Sequence, residues 1–167
     1  IYLLNYYLEQ FRTTVYRQTM FAEFEKITHE TVESGEPLTS DEFNKIYYDL
    51  NKKYYGKSCI VDKQIELEWA RIPHFYSNFY VYKYSTGFCA ASALSQGILE
   101  DGKTLQSKIS YKKDDDKYIN FLKSGGSEYP LEQLRAAGVD MEKKEAVEDA
   151  LKIFAELVDK LDEEYSN

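Results

Sequence analysis

The chain has 167 residues and a net charge of −8, with 29 acidic residues against 21 lysines and arginines. Hydrophobic residues make up 43% of it, which excludes a disordered chain, and no apolar run approaches the roughly 20 residues of a membrane helix. The acidic balance argues against binding to nucleic-acid phosphates. We therefore expect neither a membrane nor a nucleic acid as partner. Two cysteines, Cys59 and Cys89, are too few for a disulfide framework and favour a reducing compartment.

The chain begins at Ile1 with a helical pattern and without a methionine or the features of a signal peptide. We therefore expect it to be a segment of a longer protein. The first helix is indicated by apolar residues that recur mostly at steps of three and four: Leu4, Leu8, Phe11, Val15, Met20, Phe24 and Ile27. Gly35 and Pro37 are predicted to end it.

A second helix is predicted from the capping box that Thr39 forms with Glu42, and Gly56 ends it. Asp62 is expected to cap a short third helix, which Pro73 stops or kinks. A fourth helix is predicted from about Phe75 to Glu100.

Three further helices are predicted near the end of the chain. The charge run Lys112–Asp116 starts one, which leads into residues 118–123. Pro130 opens a short helix that Gly138 ends, and the last helix starts at about Lys143. Because no segment alternates as a strand does, the sequence predicts an all-α fold.

The sequence offers few metal ligands. His29-Glu30 resembles the start of the zinc motif His-Glu-x-x-His, but position 33 is a glutamate, so the second imidazole one turn on is missing. His29 is therefore interpreted as a surface residue near a helix end. Cys59 and Cys89 have no histidine close by, and Cys89 is expected to be a small buried residue among alanines.

His74 is the strongest candidate for chemistry, because Pro73 fixes the helix entry at which it stands. On the predicted fourth helix Tyr76, Tyr80 and Tyr84 share a face, whereas Tyr82 lies some 200° from Tyr80 at 100° per residue. Such a stripe is usually packed in a core. The alternative is functional: imidazole N–H and phenol O–H groups can stabilise a developing oxyanion.

Several stretches resemble the C-terminal region of the oligoendopeptidase F family, in the family's order and over nearly the whole chain. The most specific are Trp69-Ala70-Arg71-Ile72-Pro73-His74-Phe75-Tyr76 and Phe79-Tyr80-Val81-Tyr82-Lys83-Tyr84-Ser85-Thr86-Gly87. Others include Arg17-Gln18-Thr19-Met20-Phe21-Ala22-Glu23-Phe24-Glu25 and Phe121-Leu122-Lys123-Ser124-Gly125-Gly126-Ser127.

The resemblance implies a nearly all-helical zinc metallopeptidase that is related to thimet oligopeptidase. Such an enzyme is bacterial and cytoplasmic, and it cleaves short peptides inside a deep channel. In that family a His-Glu-x-x-His helix and a following glutamate supply the zinc ligands, and zinc activates water.

This chain contains no such motif. The resemblance therefore implies that residues 1–167 are the C-terminal helical segment of the catalytic domain, with the zinc-ligand helices upstream. It also implies that the segment alone binds no zinc and is inactive, and that its partners are the oligopeptide and the rest of that domain.

The resemblance assigns roles to the residues after Pro73. His74, Tyr80 and Tyr82 are expected to be catalytic by contacting the substrate and its oxyanion, and Tyr76 is expected to bind substrate. The distance in sequence from histidine to tyrosines is shorter than in the thimet-type relatives, which leaves open which tyrosine acts. An alternative from another class also stays open: a non-catalytic helical peptide-binding or interaction module that kept this fold and lost the zinc half.

Overall fold

The computed structural model describes residues 1–99 and 117–166. Within these ranges there are helices and no strand, so the predicted all-α fold is confirmed. The described part holds seven α-helices: α1 (Tyr2–Gln10), α2 (Arg17–Glu33), α3 (Ser40–Tyr55), α4 (Tyr82–Leu99), α5 (Lys117–Ser124), α6 (Pro130–Ala136) and α7 (Glu145–Ser166). The helix start predicted at Lys112–Asp116 lies outside the described residues. None of the described helices is both long enough and apolar enough to span a bilayer.

A π-helical turn, Phe11–Tyr16, separates α1 from α2, where the sequence predicts one regular helix. The buried residues Val15 and Met20 lie five positions apart. In a regular α-helix that step places two side chains roughly 140° apart. A π-turn takes up one extra residue and so keeps both on the buried side of the helix.

The predicted helix ends are largely confirmed. Thr39 accepts the backbone N–H of Glu42 while the Glu42 carboxylate accepts the N–H of Thr39, which completes the capping box of α3. Gly56 follows α3 with a φ of 73°, which favours glycine. Asp62 caps the next helix, but this helix, Lys63–Arg71, is of the 3₁₀ type.

The described chain divides into two compact units, Glu9–Ser85 and residues 1–8 with 86–99 and 117–166. The Glu9–Ser85 unit is organised around Phe24, whose ring packs against those of Tyr47 and Phe75, each 5.2 Å away between centroids. The buried core of this unit also includes Met20, Phe21, Leu50, Ile72 and Val81.

The second unit has a smaller core, in which Ala90, Val139 and Ala146 are buried. Cys89 on α4 is fully buried, as predicted, and burial raises the pKa of its thiol.

One buried carboxylate, Glu68, ties three elements of the Glu9–Ser85 unit together. It accepts hydrogen bonds from the Tyr47 hydroxyl of α3 (2.7 Å), from Arg17 of α2 (2.7 Å) and from Arg71 (2.6 Å). Burial raises the pKa of Glu68, but the hydrogen bonds from Tyr47 and Arg17 outweigh it, so the pKa lies below its usual value. This network fixes the 3₁₀ helix that leads directly to the segment carrying His74.

Candidate active site

The segment around His74 is anchored in the core on both sides of the histidine. Ile72 is buried, and the ring of Phe75 meets that of Phe21 edge-on at 5.4 Å. Pro73 opens a second 3₁₀ helix, Pro73–Tyr76, because its fixed φ suits the first position of a helical turn. His74, between these anchors, is half-buried and stays accessible.

The predicted start of the fourth helix is wrong. α4 begins at Tyr82, not at Phe75, and residues 77–81 form an irregular turn. Phe79 has a φ of 57°, which no α-helix accommodates. Its backbone N–H donates to the carboxylate of Glu25 on α2 at 2.7 Å, and the next anchor, Val81, is fully buried. The turn is therefore held at defined points, although it has no regular structure.

This turn brings three rings into one cluster, His74, Tyr80 and Tyr84, which we call the aromatic cluster. The ring of His74 stacks on that of Tyr80 at 5.8 Å and meets that of Tyr84 edge-on at 5.7 Å. Nε2 of His74 lies 3.3 Å from the Tyr84 hydroxyl. A hydrogen bond with Tyr80 raises the pKa of the Tyr84 hydroxyl above its ordinary value.

The structure thus brings two of the predicted site residues together, His74 and Tyr80. Tyr82 is the first residue of α4, with a ring about half exposed (47%). Tyr76 is 82% exposed and lines a cavity of about 330 Å³ together with Phe75, Trp69 and His29. The roles of all four residues remain predictions.

Two residues of this region were not among the predicted site residues, Tyr84 and Glu25. The sequence did contain an indication for Tyr84, because it stands four positions after Tyr80 in the tyrosine stripe. It contained no indication for Glu25, since nothing in the sequence shows that a glutamate of α2 contacts the backbone of Phe79, fifty-four positions away.

The residues described offer no metal centre. No group of three or more histidines, cysteines, aspartates or glutamates within 1–99 and 117–166 is arranged to hold an ion. The ring of His29 lies 4.8 Å from that of Phe79, which accounts for its position by aromatic packing.

The aromatic cluster is chemically suited to one task. It gathers hydrogen-bond donors, an imidazole and phenols, on a segment that is anchored in the core. Such preorganised donors stabilise negative charge that develops on a substrate oxygen, because they need not reorient during the reaction.

The tyrosines can be tested by removing single hydroxyls. If the role that the resemblance implies is right, Tyr80→Phe or Tyr82→Phe lowers kcat in the full-length protein, with little change in melting temperature. The ring is kept, and a lost structural hydrogen bond costs only about 0.5–1.5 kcal/mol. Tyr80 is favoured because it stacks on His74. Both variants are compared by melting temperature and by turnover of a quenched fluorescent peptide. Normal turnover in both would show that the tyrosines serve packing alone.

Comparison with protein families matches residues 1–153 to Peptidase family M3. The chain therefore belongs to this family of peptidases. The resemblance to oligoendopeptidase F is confirmed by its curated relatives. Oligopeptidase PepF of Bacillus subtilis is 52% identical over 163 residues, which cover 98% of this chain and 23% of that protein. The chromosomal oligoendopeptidase F of Lactococcus lactis subsp. cremoris is 44% identical and is matched over 96% of this chain and 25% of its own length.

Solved structures give the same relationship. The crystal structure of oligoendopeptidase-F from Enterococcus faecium has a TM-score of 0.86 at 45% identity, covering 97% of this chain and 29% of that one. A putative peptidase from Chlamydophila abortus has a TM-score of 0.80 at 38% identity, covering 95% of this chain and 25% of its own. The chain spans about a quarter of the length of the curated relatives it matches.

Proposed function

We propose that this chain is the C-terminal, substrate- and transition-state-binding part of a cytoplasmic zinc oligoendopeptidase that hydrolyses short peptides. The observation that carries the proposal is the aromatic cluster, in which a core-anchored turn holds His74 against Tyr80 and Tyr84. The chain's membership of Peptidase family M3 supports peptide hydrolysis as the chemistry that this cluster serves.

In this proposal the residues of the chain act on the substrate carbonyl. When the carbonyl carbon becomes tetrahedral, its oxygen gains negative charge, and donors placed for that state lower the barrier. His74 donates through an imidazole N–H, and Tyr80 or Tyr82 donates through its hydroxyl. Tyr76, at the mouth of the neighbouring cavity, contacts the peptide itself.

The proposal assigns the zinc ligands to sequence outside residues 1–167, because these residues contain no His-Glu-x-x-His. The full-length peptidase is therefore this chain together with an upstream part that contains His-Glu-x-x-His. The coding sequence before Ile1 tests this assignment. A His-Glu-x-x-His within about a hundred codons supports the enzyme, whereas an upstream helix without those ligands supports the non-catalytic peptide-binding module.

The chain alone is expected to bind no stoichiometric zinc and to leave peptides uncleaved. His29 with neighbouring carboxylates makes an incomplete site, since structural zinc sites use four ligands and catalytic sites three. Metal analysis after dialysis, with a peptidase assay on the same sample, measures both properties. One zinc held tightly per chain and lost in His29→Ala would contradict this expectation.

A further inference from the structure

The turn that positions Tyr80 depends on a carboxylate from another helix. Glu25 lies on α2 and is 4% exposed, and its Oε1 accepts the backbone N–H of Phe79 at 2.7 Å. Because the Glu25 side chain is buried, water competes little with it for this hydrogen bond. Glu25 is therefore a firm attachment point for this part of the turn.

The backbone at this attachment point is strained. Phe79 is the one residue other than glycine with a positive φ within 1–99 and 117–166. A bulky side chain rarely adopts this conformation, and it persists only where the surroundings hold it. Glu25 holds the N–H of Phe79, and His29, one helical turn further along α2, packs against its ring at 4.8 Å.

The strained residue directly precedes Tyr80. The Tyr80 ring stacks on His74 at 5.8 Å, and its N–H donates to the carbonyl of Ser77 at 3.2 Å. If the backbone of Phe79 relaxed to a negative φ, the peptide plane between Phe79 and Tyr80 would rotate and carry the Tyr80 ring away from His74.

We propose that Glu25 is a positioning residue for peptide hydrolysis, which holds Phe79 in its left-handed conformation and so places the Tyr80 hydroxyl beside His74. This inference rests on the proposed function and extends it to Glu25, which also lines the cavity that Tyr76 lines. The competing explanation is that Glu25 only accepts a backbone N–H and supports the fold.

A double-mutant cycle in the full-length peptidase separates the two explanations. Glu25→Leu removes the acceptor and is expected to lower kcat by about 10- to 100-fold with a small change in KM, because misplacing a catalytic group by about 1 Å has effects of this size. In the Tyr80→Phe background the same substitution should change kcat by less than about two-fold, since the hydroxyl that it misplaces is already absent. Glu25→Gln keeps an acceptor and should restore most of the rate.

Glu23→Leu is the matched control. Glu23 lies on the same helix, but its carboxylate accepts hydrogen bonds from Lys53 and Tyr54 of α3 and not from the turn. We expect kcat to stay within about two-fold of wild type in this variant.

The outcomes are distinct. Equal effects of Glu25→Leu with and without the Tyr80 hydroxyl, or a normal kcat in Glu25→Leu, would overturn the positioning role. If His74→Ala lowers kcat in the same series, the proposed function stands. If kcat is also normal in His74→Ala, the positioning role and the proposed function are both wrong.

Should Glu25→Leu fail to fold, Glu25→Asp replaces it in the double-mutant cycle, because the shorter side chain moves the acceptor while keeping the carboxyl group. A normal kcat in Glu25→Asp would then overturn the proposal.

Discussion

His74→Ala in the full-length peptidase is expected to lower kcat by about 10²–10³-fold, with a much smaller rise in KM. A donor that acts on the developing oxyanion stabilises the transition state more than the bound substrate, and the loss of one such donor typically costs this much. The ring of His74 lies at the centre of the aromatic cluster, in contact with Tyr80 and Tyr84.

The zinc content of the variant provides the control. Because His74 is assigned as a donor and not as a ligand, zinc per chain should equal that of the wild type. Glu23→Leu is the control in the same unit, since its carboxylate accepts hydrogen bonds from Lys53 and Tyr54 of α3 and its loss should change kcat by less than about two-fold. Loss of zinc in His74→Ala, or a kcat close to normal, would show that the assigned role is wrong.

Glu68→Leu is expected to lower the free energy of unfolding of the chain by about 3 kcal/mol. The substitution leaves the hydroxyl of the fully buried Tyr47 without its acceptor, at a cost of about 1–3 kcal/mol, and removes the carboxylate that pairs with Arg17. Urea unfolding measures the change. Glu66→Leu is the matched control, because Glu66 pairs with the exposed Lys63 and such a pair contributes about 0–1 kcal/mol.

The same carboxylate makes stability depend on pH. The pKa of Glu68 in the folded chain lies below its value in the unfolded chain, so its contribution is complete above about pH 4.3 and is lost as the pH falls toward the folded pKa. Glu68→Leu should therefore lose less stability than wild type between neutral pH and pH 3. Equal losses in the two proteins would contradict the assigned network.

The helix ends were predictable because they depend on neighbouring residues. The capping box of Thr39 and Glu42, the glycine after α3 and the proline that opens α6 each follow from local backbone chemistry. The π-turn was indicated in the sequence by the five-residue step between the apolar residues Val15 and Met20. The overall pattern nevertheless predicts one regular helix.

The candidate site was predictable in composition but not in geometry. Pro73, His74 and the tyrosines pointed to the segment that carries the aromatic cluster. The sequence pattern placed Tyr80 and Tyr84 on one face of a helix, but that helix starts only at Tyr82. At the bend, the backbone N–H of Phe79 donates a hydrogen bond to Glu25 of the distant helix α2. A contact of that kind depends on tertiary packing, which the spacing of residues along one segment does not determine.

The most direct test of the central claim is a segment exchange. This chain replaces the matched 163-residue segment of Bacillus subtilis oligopeptidase PepF, and hydrolysis of a quenched fluorescent oligopeptide is measured beside the unaltered relative. If the chain supplies the substrate- and transition-state-binding half, the chimera is expected to turn over the peptide within about ten-fold of PepF and to lose this activity by about 10²–10³-fold in His74→Ala. A folded chimera that contains zinc and hydrolyses nothing, or one whose turnover survives His74→Ala, would contradict the account.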